Sequence, residues 1–495
     1  MTRRPYPAKT LSALRAAPAA LCVLLAGCVS MAPPYTRPAL PVPAAYAPAT
    51  ASDAAPDAAP DANAEAAAHI AWQTYFSDPV LHGLIDSALA NNRDLRTALL
   101  RVEEARALYG IQRADQFPTL GVQADGTRSR VPGDLNLTGQ PQISSQYQVG
   151  VGMATWELDF WGRVRSLKDA ALQNYLASDA AAQAATLSLI TQVADSYLTL
   201  RELDERLALT RETIASRAES LRIFRRRFEV GAISKLDLTQ VETLWQQARA
   251  LGADLEQTRA AQAHALELLV GAPLNLPAHI TQLDDNAVMR ELPAGLPSDL
   301  LINRPDIVAA EHQLQAANAN IGAARAAFLP SITLTGAFGT ASAELDGLFS
   351  GGSRAWNFAP SISLPIFDAG RRQSTLDLTE VRRDQAIATY EKSIQSAFRD
   401  VSDALTARHW LAEQVVVLRA TVAAQSERAR LAQLRYEHGA SPYLEVLDAQ
   451  RDLLAAQQTL VQRRRALLSS RVGLYAALGG GAQAAGLTAA APSTE

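Results

Sequence analysis

Two runs of 68 residues, Arg163–Val230 and Arg371–His438, contain neither glycine nor proline, and each runs straight into a glycine, Gly231 or Gly439. No other feature restricts the fold as strongly. Gly and Pro are the poorest residues in a helix interior. Each run therefore predicts one unbroken helix, roughly 100 Å long at 1.5 Å per residue and several times a bilayer core. The apolar pattern agrees. Val193, Leu200, Leu207, Ile214, Leu221 and Phe228 recur every seven residues, with Tyr197, Leu203 and Phe224 between them. Ile387, Ile394, Val401, Val415 and Val422 keep that spacing in the second run, where Arg408 interrupts it. A seven-residue repeat favours coiled-coil packing with a left-handed supercoil. Gly just past a helix end is the expected stop, and a further helix follows each, over 234–270 and 442–478.

The paired runs belong to a larger duplication. "NNRDL" at Asn91–Leu95 returns as "NRPDI" at Asn303–Ile307, and "DQFPTL" ending at Leu120 returns as "AFLPSI" ending at Ile332, both at an offset of 212. "FWGR" at Phe160–Arg163 matches "DAGR" at Asp368–Arg371, and "FEVGA" at Phe228–Ala232 matches "YEHGA" at Tyr436–Ala440, both at 208. Four matches in order, with the shift confined to one loop region, indicate a tandem repeat. The halves are expected at 71–282 and 283–481, each reading short helix, strand pair, long helix, second long helix.

The strand pairs are expected near 117–130 and 145–160, and near 329–341 and 354–367. In "AWNFAPSISLPIF", Trp356, Phe358, Pro360, Ile362, Leu364 and Ile366 alternate with Asn357, Ala359, Ser361, Ser363 and Pro365. One face is thus apolar and the other small or polar, the pattern of a half-buried strand. Ile332, Leu334 and Phe338 continue it against Ser331, Thr333, Thr335 and Ala337. In the first half Tyr147, Val149, Val151 and Met153 alternate with Gln148, Gly150, Gly152 and Ala154, while the strand near Leu120–Gly126 carries the weakest pattern of the four. Loops rich in Gly, Pro and Asn join each pair as a hairpin.

No long segment is apolar enough to be a spanning helix, so if the chain enters a membrane beyond a lipid anchor it must do so with strands. In lipid an open sheet leaves edge N–H and C=O groups unsatisfied, so only a closed barrel spans. Four strands are too few, since outer-membrane barrels begin at about eight. Two chains would make eight, a number whose interior is filled by its own side chains. Three chains would make twelve, the smallest multiple with a hole. This geometry sets three as a minimum and leaves four open.

The N-terminus carries an address. Arg3, Arg4, Lys9 and Arg15 precede an uncharged run, Ala16–Ala26, that ends in "LAGC". That is a secretory signal, expected over 1–27 and too short to remain as an anchor. "LAGC" resembles the bacterial lipobox, which makes Cys28 the lipidated first residue of the mature chain. Cys22, the other of two cysteines, leaves with the signal, so no internal disulfide is expected. Removing 1–27 leaves 42 basic against 50 acidic side chains, a net charge of about −8, which argues against nucleic acid as a partner. The stretch Ala49–Ala68, within an N-terminal segment 28–70, reads as a disordered Ala/Pro/Asp spacer. The tail 482–495 reads likewise. The seven histidines show no metal-ligand spacing, and no phosphate loop or nucleophile elbow is present. The expectation is no enzyme, no metal and no cofactor beyond acyl chains on Cys28.

"GLPSDLLINRPDIVAAEHQLQAANANIGAARAAFLPSITLTGAFG", together with "PPYTRPALPVPAAY", "AWQTYFSDPVLHGLIDSALANNRDL", "LLVGAP" and "YEHGASPYLEVLDAQRDLLAAQQTL", resembles the TolC-like outer-membrane efflux lipoproteins of tripartite pumps. The resemblance runs from Cys28 to Gly481. It implies a mainly α homotrimer, with a 12-stranded transmembrane β-barrel in the outer membrane continuing into a periplasmic helical coiled-coil tunnel. It also implies a passive conduit for small toxic compounds, served by a periplasmic adaptor (membrane fusion) protein and a proton-driven inner-membrane pump of the resistance–nodulation–division class. Outer-membrane lipid would surround the barrel. The family closes its channel at the periplasmic helix turns with apolar residues, acids and an arginine. Carried onto this chain, the gate residues are Leu444, Asp448 and Arg451 in the second turn and Asp237 in the first. Leu444 and Asp448 are four apart and Asp448 and Arg451 three apart, so the three can share one helix face. The turns with Gly231, Ala232 and Ser234, and with Gly439, Ala440 and Ser441, are then the expected adaptor contacts. An outer channel for a protein exporter of the type I kind shares this architecture and remains open. A structural coiled-coil surface lipoprotein is disfavoured by the duplicated hairpins.

Overall fold

The computed structural model describes residues 30–43, 45, 46, 67–274, 276, 283, 285, 292 and 299–482. The signal segment, Cys28, nearly all of the Ala49–Ala68 stretch and residues 483–495 lie outside the described residues. The longer elements are α1 (Pro79–Asn91), α2 (Arg93–Ala114), β1 (Leu120–Val131), β2 (Gln142–Glu157), α3 (Arg163–Glu229) and α4 (Lys235–Val270). There follow α5 (Pro305–Ala326), β3 (Ser331–Ser342), β4 (Arg354–Ser363), α6 (Arg371–Glu437) and α7 (Tyr443–Ala477). Both α3 and α6 are single helices of 67 residues. The chain divides into two compact units, one of residues through Pro38 with Val102–Ala177 and Ala310–Tyr390, the other of Ala39–Arg101, Ser178–Ala309 and Glu391 onward.

The first unit holds a four-stranded antiparallel sheet in the order β1-β2-β3-β4, so the two hairpins pair through β2 and β3. The register stacks like with like. Val122, Val151, Phe338 and Trp356 form one row across all four strands, and Leu120, Met153, Gly336 and Phe358 another. The row between them is Gly121, Gly152, Ala337 and Asn357. β1, weakly patterned in sequence, is paired with β2 along all twelve of its residues. β4 differs from the alternation read through Ile366: it stops at Ser363, opposite Ser331, the first residue of β3. Beyond that point β3 offers no partner, and Pro365 has no N–H to give. Where the two hairpins meet, Gly150 faces Gly339. A Cβ on Gly150 would stand 2.7 Å from the Phe338 carbonyl oxygen, and one on Gly339 would overlap the Val149 carbonyl, so only glycine permits this approach.

The same unit clasps the chain's N-terminal strap, which sequence reading did not foresee. Asn318 Nδ2 donates to the Pro33 carbonyl (2.8 Å), and Gly322 leaves the space that Ala32 occupies. Arg37 makes a bidentate bond to the largely buried Glu311 carboxylate at 2.9 and 2.8 Å, and Tyr35 Oη donates to it at 3.0 Å. Burial first, and then the Glu311 hydrogen bond, push the Tyr35 hydroxyl up to about 12.

The second unit is helical, and most of the seven-residue repeat of α3 lies in its core, though Phe228 at its end is exposed. Val193, Leu200, Leu207 and Leu221 are buried, with Tyr197, Leu203 and Phe224 between them. Two of its buried charges sit in ion pairs: Glu202 takes Arg206 (3.0 Å) and Arg465 (2.9 Å), and Arg201 takes Asp204 (3.0 Å). Arg408, the interruption in the repeat, donates to the Leu292 carbonyl at 3.1 Å. Arg464 binds Asp285 at 2.9 Å and Glu205 at 2.7 Å. Arginines on the helices thus hold Asp285 and Leu292, two described residues between the repeats.

Candidate functional site

The two turns are built differently. α3 ends as the glycine signal predicts: Gly231 has φ +75° and the Ala232 N–H reaches back to the Arg227 carbonyl at 2.8 Å. Ser234 then caps α4, its hydroxyl accepting from the Asp237 N–H at 3.1 Å. The Asp237 carboxylate in return accepts from the Ser234 N–H (3.1 Å) and hydroxyl (2.7 Å). Such a reciprocal cap contributes about 1 kcal/mol to the helix end. In the second turn Gly439 has φ +72° and the Ala440 N–H meets the Arg435 carbonyl at 2.7 Å, but Pro442 stands at the cap position with no side-chain bond to offer. Ser441 Oγ is enclosed there without a hydrogen-bond partner. An Arg435–Glu445 ion pair at 3.2 Å spans this turn.

Asp448 and Arg451 meet at 3.1 Å, one turn apart on α7. Arg451 also binds Asp452 at 3.1 Å, and Arg428 of α6 binds Asp452 at 2.7 Å. The Arg428 guanidinium, more than Arg451, holds the Asp452 carboxyl below its ordinary range. Both members of the Asp448–Arg451 pair are exposed enough for it to contribute about 0–1 kcal/mol within one chain. Leu444 is 45% exposed, whereas Leu447 packs into the buried cluster of Leu221, Phe224, Leu238 and Val241. The structure thus brings Asp448 and Arg451 together, leaves Leu444 uncovered, and ties Asp237 to its own turn.

Asp452 and Arg428 were missed by sequence reading, because their pairing needs α6 to lie beside α7. A ring clasp was missed as well. Tyr443 packs on Phe224 (4.4 Å between centroids) and on Tyr436 (4.8 Å), and its hydroxyl donates to Ser220 Oγ at 3.0 Å. Arg227 lies over Phe224 at 5.8 Å and bonds the Tyr436 hydroxyl. The two tyrosines stand seven apart across Gly439, a spacing that could have marked the clasp. Burial before all else raises the Tyr443 hydroxyl above the usual tyrosine value. Among the described residues, no group of three or more His, Cys, Asp or Glu is arranged to hold a metal ion.

A family model for outer membrane efflux proteins matches residues 84–272 and again 296–480, one match on each repeat. The solvent efflux pump outer membrane protein SrpC of Pseudomonas putida is 46% identical over 461 residues, 93% of this chain and 96% of that protein. The outer membrane protein OprJ of Pseudomonas aeruginosa is 44% identical, over 94% of this chain and 95% of its own. The open-state MtrE outer membrane channel of Neisseria gonorrhoeae superposes with a TM-score of 0.82 at 40% identity, over 92% of this chain and 99% of that one. Fold and relatives together define the class, an outer-membrane channel component of an efflux system. The chain belongs to the outer membrane efflux protein family.

Proposed function

We propose that three copies of this chain close one 12-stranded barrel in the outer membrane and carry small toxic organic compounds through it to the exterior. The observation that carries this reading is the row Val122, Val151, Phe338 and Trp356, which are 79%, 50%, 64% and 76% exposed on one sheet face. Water does not favour such a row, and lipid does. β1 and β4 each keep one edge free within the chain, which a hydrocarbon environment forbids. A neighbouring copy of β4 beside β1 satisfies both. The substrate class is supported by the relatives named for solvent and antibiotic efflux. The channel is passive and not an enzyme. A periplasmic adaptor and a proton-driven inner-membrane pump deliver the cargo, and the adaptor docks on the turns at Gly231–Ser234 and Gly439–Ser441. Acyl chains on Cys28 anchor the N-terminus.

At the turns, three copies of Leu444 and Asp448 narrow the conduit, and Arg451 holds a carboxylate of its own or a neighbouring chain. An adaptor opens the tip by binding the open turns better than the closed ones. Replacing Asp448 and Arg451 together by Ala raises the single-channel conductance of the purified protein in planar bilayers. Unchanged conductance with assembly intact removes these residues from the gate.

A further inference from the structure

Four charged side chains among the described residues are buried, Arg201, Glu202, Arg217 and Glu311. Three have an ion partner: Arg201 with Asp204, Glu202 with Arg206, and Glu311 with Arg37. Arg217, on α3 and 4% exposed, has none. Its Nη1 donates to the Leu244 backbone carbonyl at 2.7 Å, and its Nε and Nη2 meet no acceptor. α3 runs antiparallel to α7 here, with Ser220 bonded to Tyr443 and Arg206 to Gln458. Between those contacts, Arg217 falls at the level of Leu447 and Arg451. The acids on Arg451 are Asp448 and Asp452, and neither of them bonds Arg217. Burial first, and then the Arg451 charge, depress the Arg217 guanidinium, with only Tyr443 acting against them. The tip thus holds two guanidinium groups at about one level, one of them buried against α4 and without an ion partner.

We propose that Arg217 acts as an electrostatic spring behind Arg451, weakening the packing of α7 on α3 so that the resting tip stays easy to open. A buried cation lacking a partner disfavours the packed state, and an apolar side chain of similar volume relieves it. Arg217 is a positioning residue: it works through Arg451 and touches no cargo. The proposal rests on the tip being the moving part, but its hydrogen-exchange readout does not depend on the gate residues.

The test is backbone hydrogen exchange of the full-length protein in detergent, read on peptides covering 213–224 and 443–452. Arg217→Met slows exchange there by about tenfold or more relative to the unaltered chain, and Arg217→Lys, which keeps the cation, does not. In bilayers, adding Arg217→Met to Asp448→Asn lowers the conductance that Asp448→Asn alone has raised. Unchanged or faster exchange in Arg217→Met overturns the spring, and so does equal slowing by Arg217→Lys. If Asp448→Asn leaves conductance unaltered while Arg217→Met still slows exchange, the gate assignment fails and the spring stands.

Discussion

Phe358 offers the sharpest mutational probe of whether the apolar sheet face meets lipid. It is the fifth of ten residues in β4, is 61% exposed, and lies opposite Gly336, over which its ring leans. Ile362 shares the apolar face but is one residue from the strand end. Four residues at about 3.4 Å each separate the two by about 14 Å along the strand, or about 10 Å in depth once a tilt of about 40° is applied. The apolar band of an outer-membrane barrel is about 25 Å tall, so in the proposed barrel Phe358 falls near its middle and Ile362 near its edge. Arginine costs about 2–4 kcal/mol at the midplane and about 0–1 near the interface. Phe358→Arg should therefore destabilise by about 2–4 kcal/mol per chain, and Ile362→Arg by about 0–1. Asn357→Arg, on the opposite face, should resemble Ile362→Arg. Urea-dependent folding into short-chain lipid vesicles measures all three. The reasoning is refuted if Asn357→Arg costs as much as Phe358→Arg, or if Ile362→Arg does.

Removing the Arg37 side chain leaves the largely buried Glu311 without its ion partner; Arg37→Met should release the strap at a cost of about 1–3 kcal/mol, discounted because Arg37 is half exposed. Chymotrypsin should then cut after Tyr35 several-fold faster than in the unaltered chain. Tyr35 is neutral when docked and its folded value lies above that of a free tyrosine. Its contribution is therefore whole below pH about 10 and is lost as pH rises through about 12. Tyr35→Phe should remove one late-ionising tyrosine from the ultraviolet titration. Tyr443→Phe removes the bond to Ser220 but keeps the ring clasp, and should cost about 1 kcal/mol. Tyr443→Ala should cost several times more in local hydrogen exchange of the tip.

The long helices were legible because their signals are local. An absence of Gly and Pro over 163–230 and 371–438, closed by Gly231 and Gly439, needs no tertiary partner to act. The sheet was legible for a similar reason: alternation in "AWNFAPSIS" follows from the pleat alone. Its end was not, because Ser363 is the last β4 residue only through where β3 begins. The strap was invisible, since Tyr35 and Arg37 have meaning only against Glu311, some 274 residues away from Arg37. At the turns the three-residue spacing brought Asp448 and Arg451 together, but spacing does not reveal that Arg428 competes through Asp452. Ser234 and Asp237 carried an overlooked signal: Ser followed three residues later by an acid is a helix cap. Arg217 lies between Arg211 and Arg222 on α3, and only burial separates it from those solvated arginines.

The claim that three chains share one barrel is open to a direct measurement, native mass spectrometry of the protein released from outer membranes in mild detergent. Three copies of the mature chain in one complex are expected, with no smaller species holding a folded sheet. A folded monomer or a dimer would contradict it, because neither four nor eight strands can close around an open conduit.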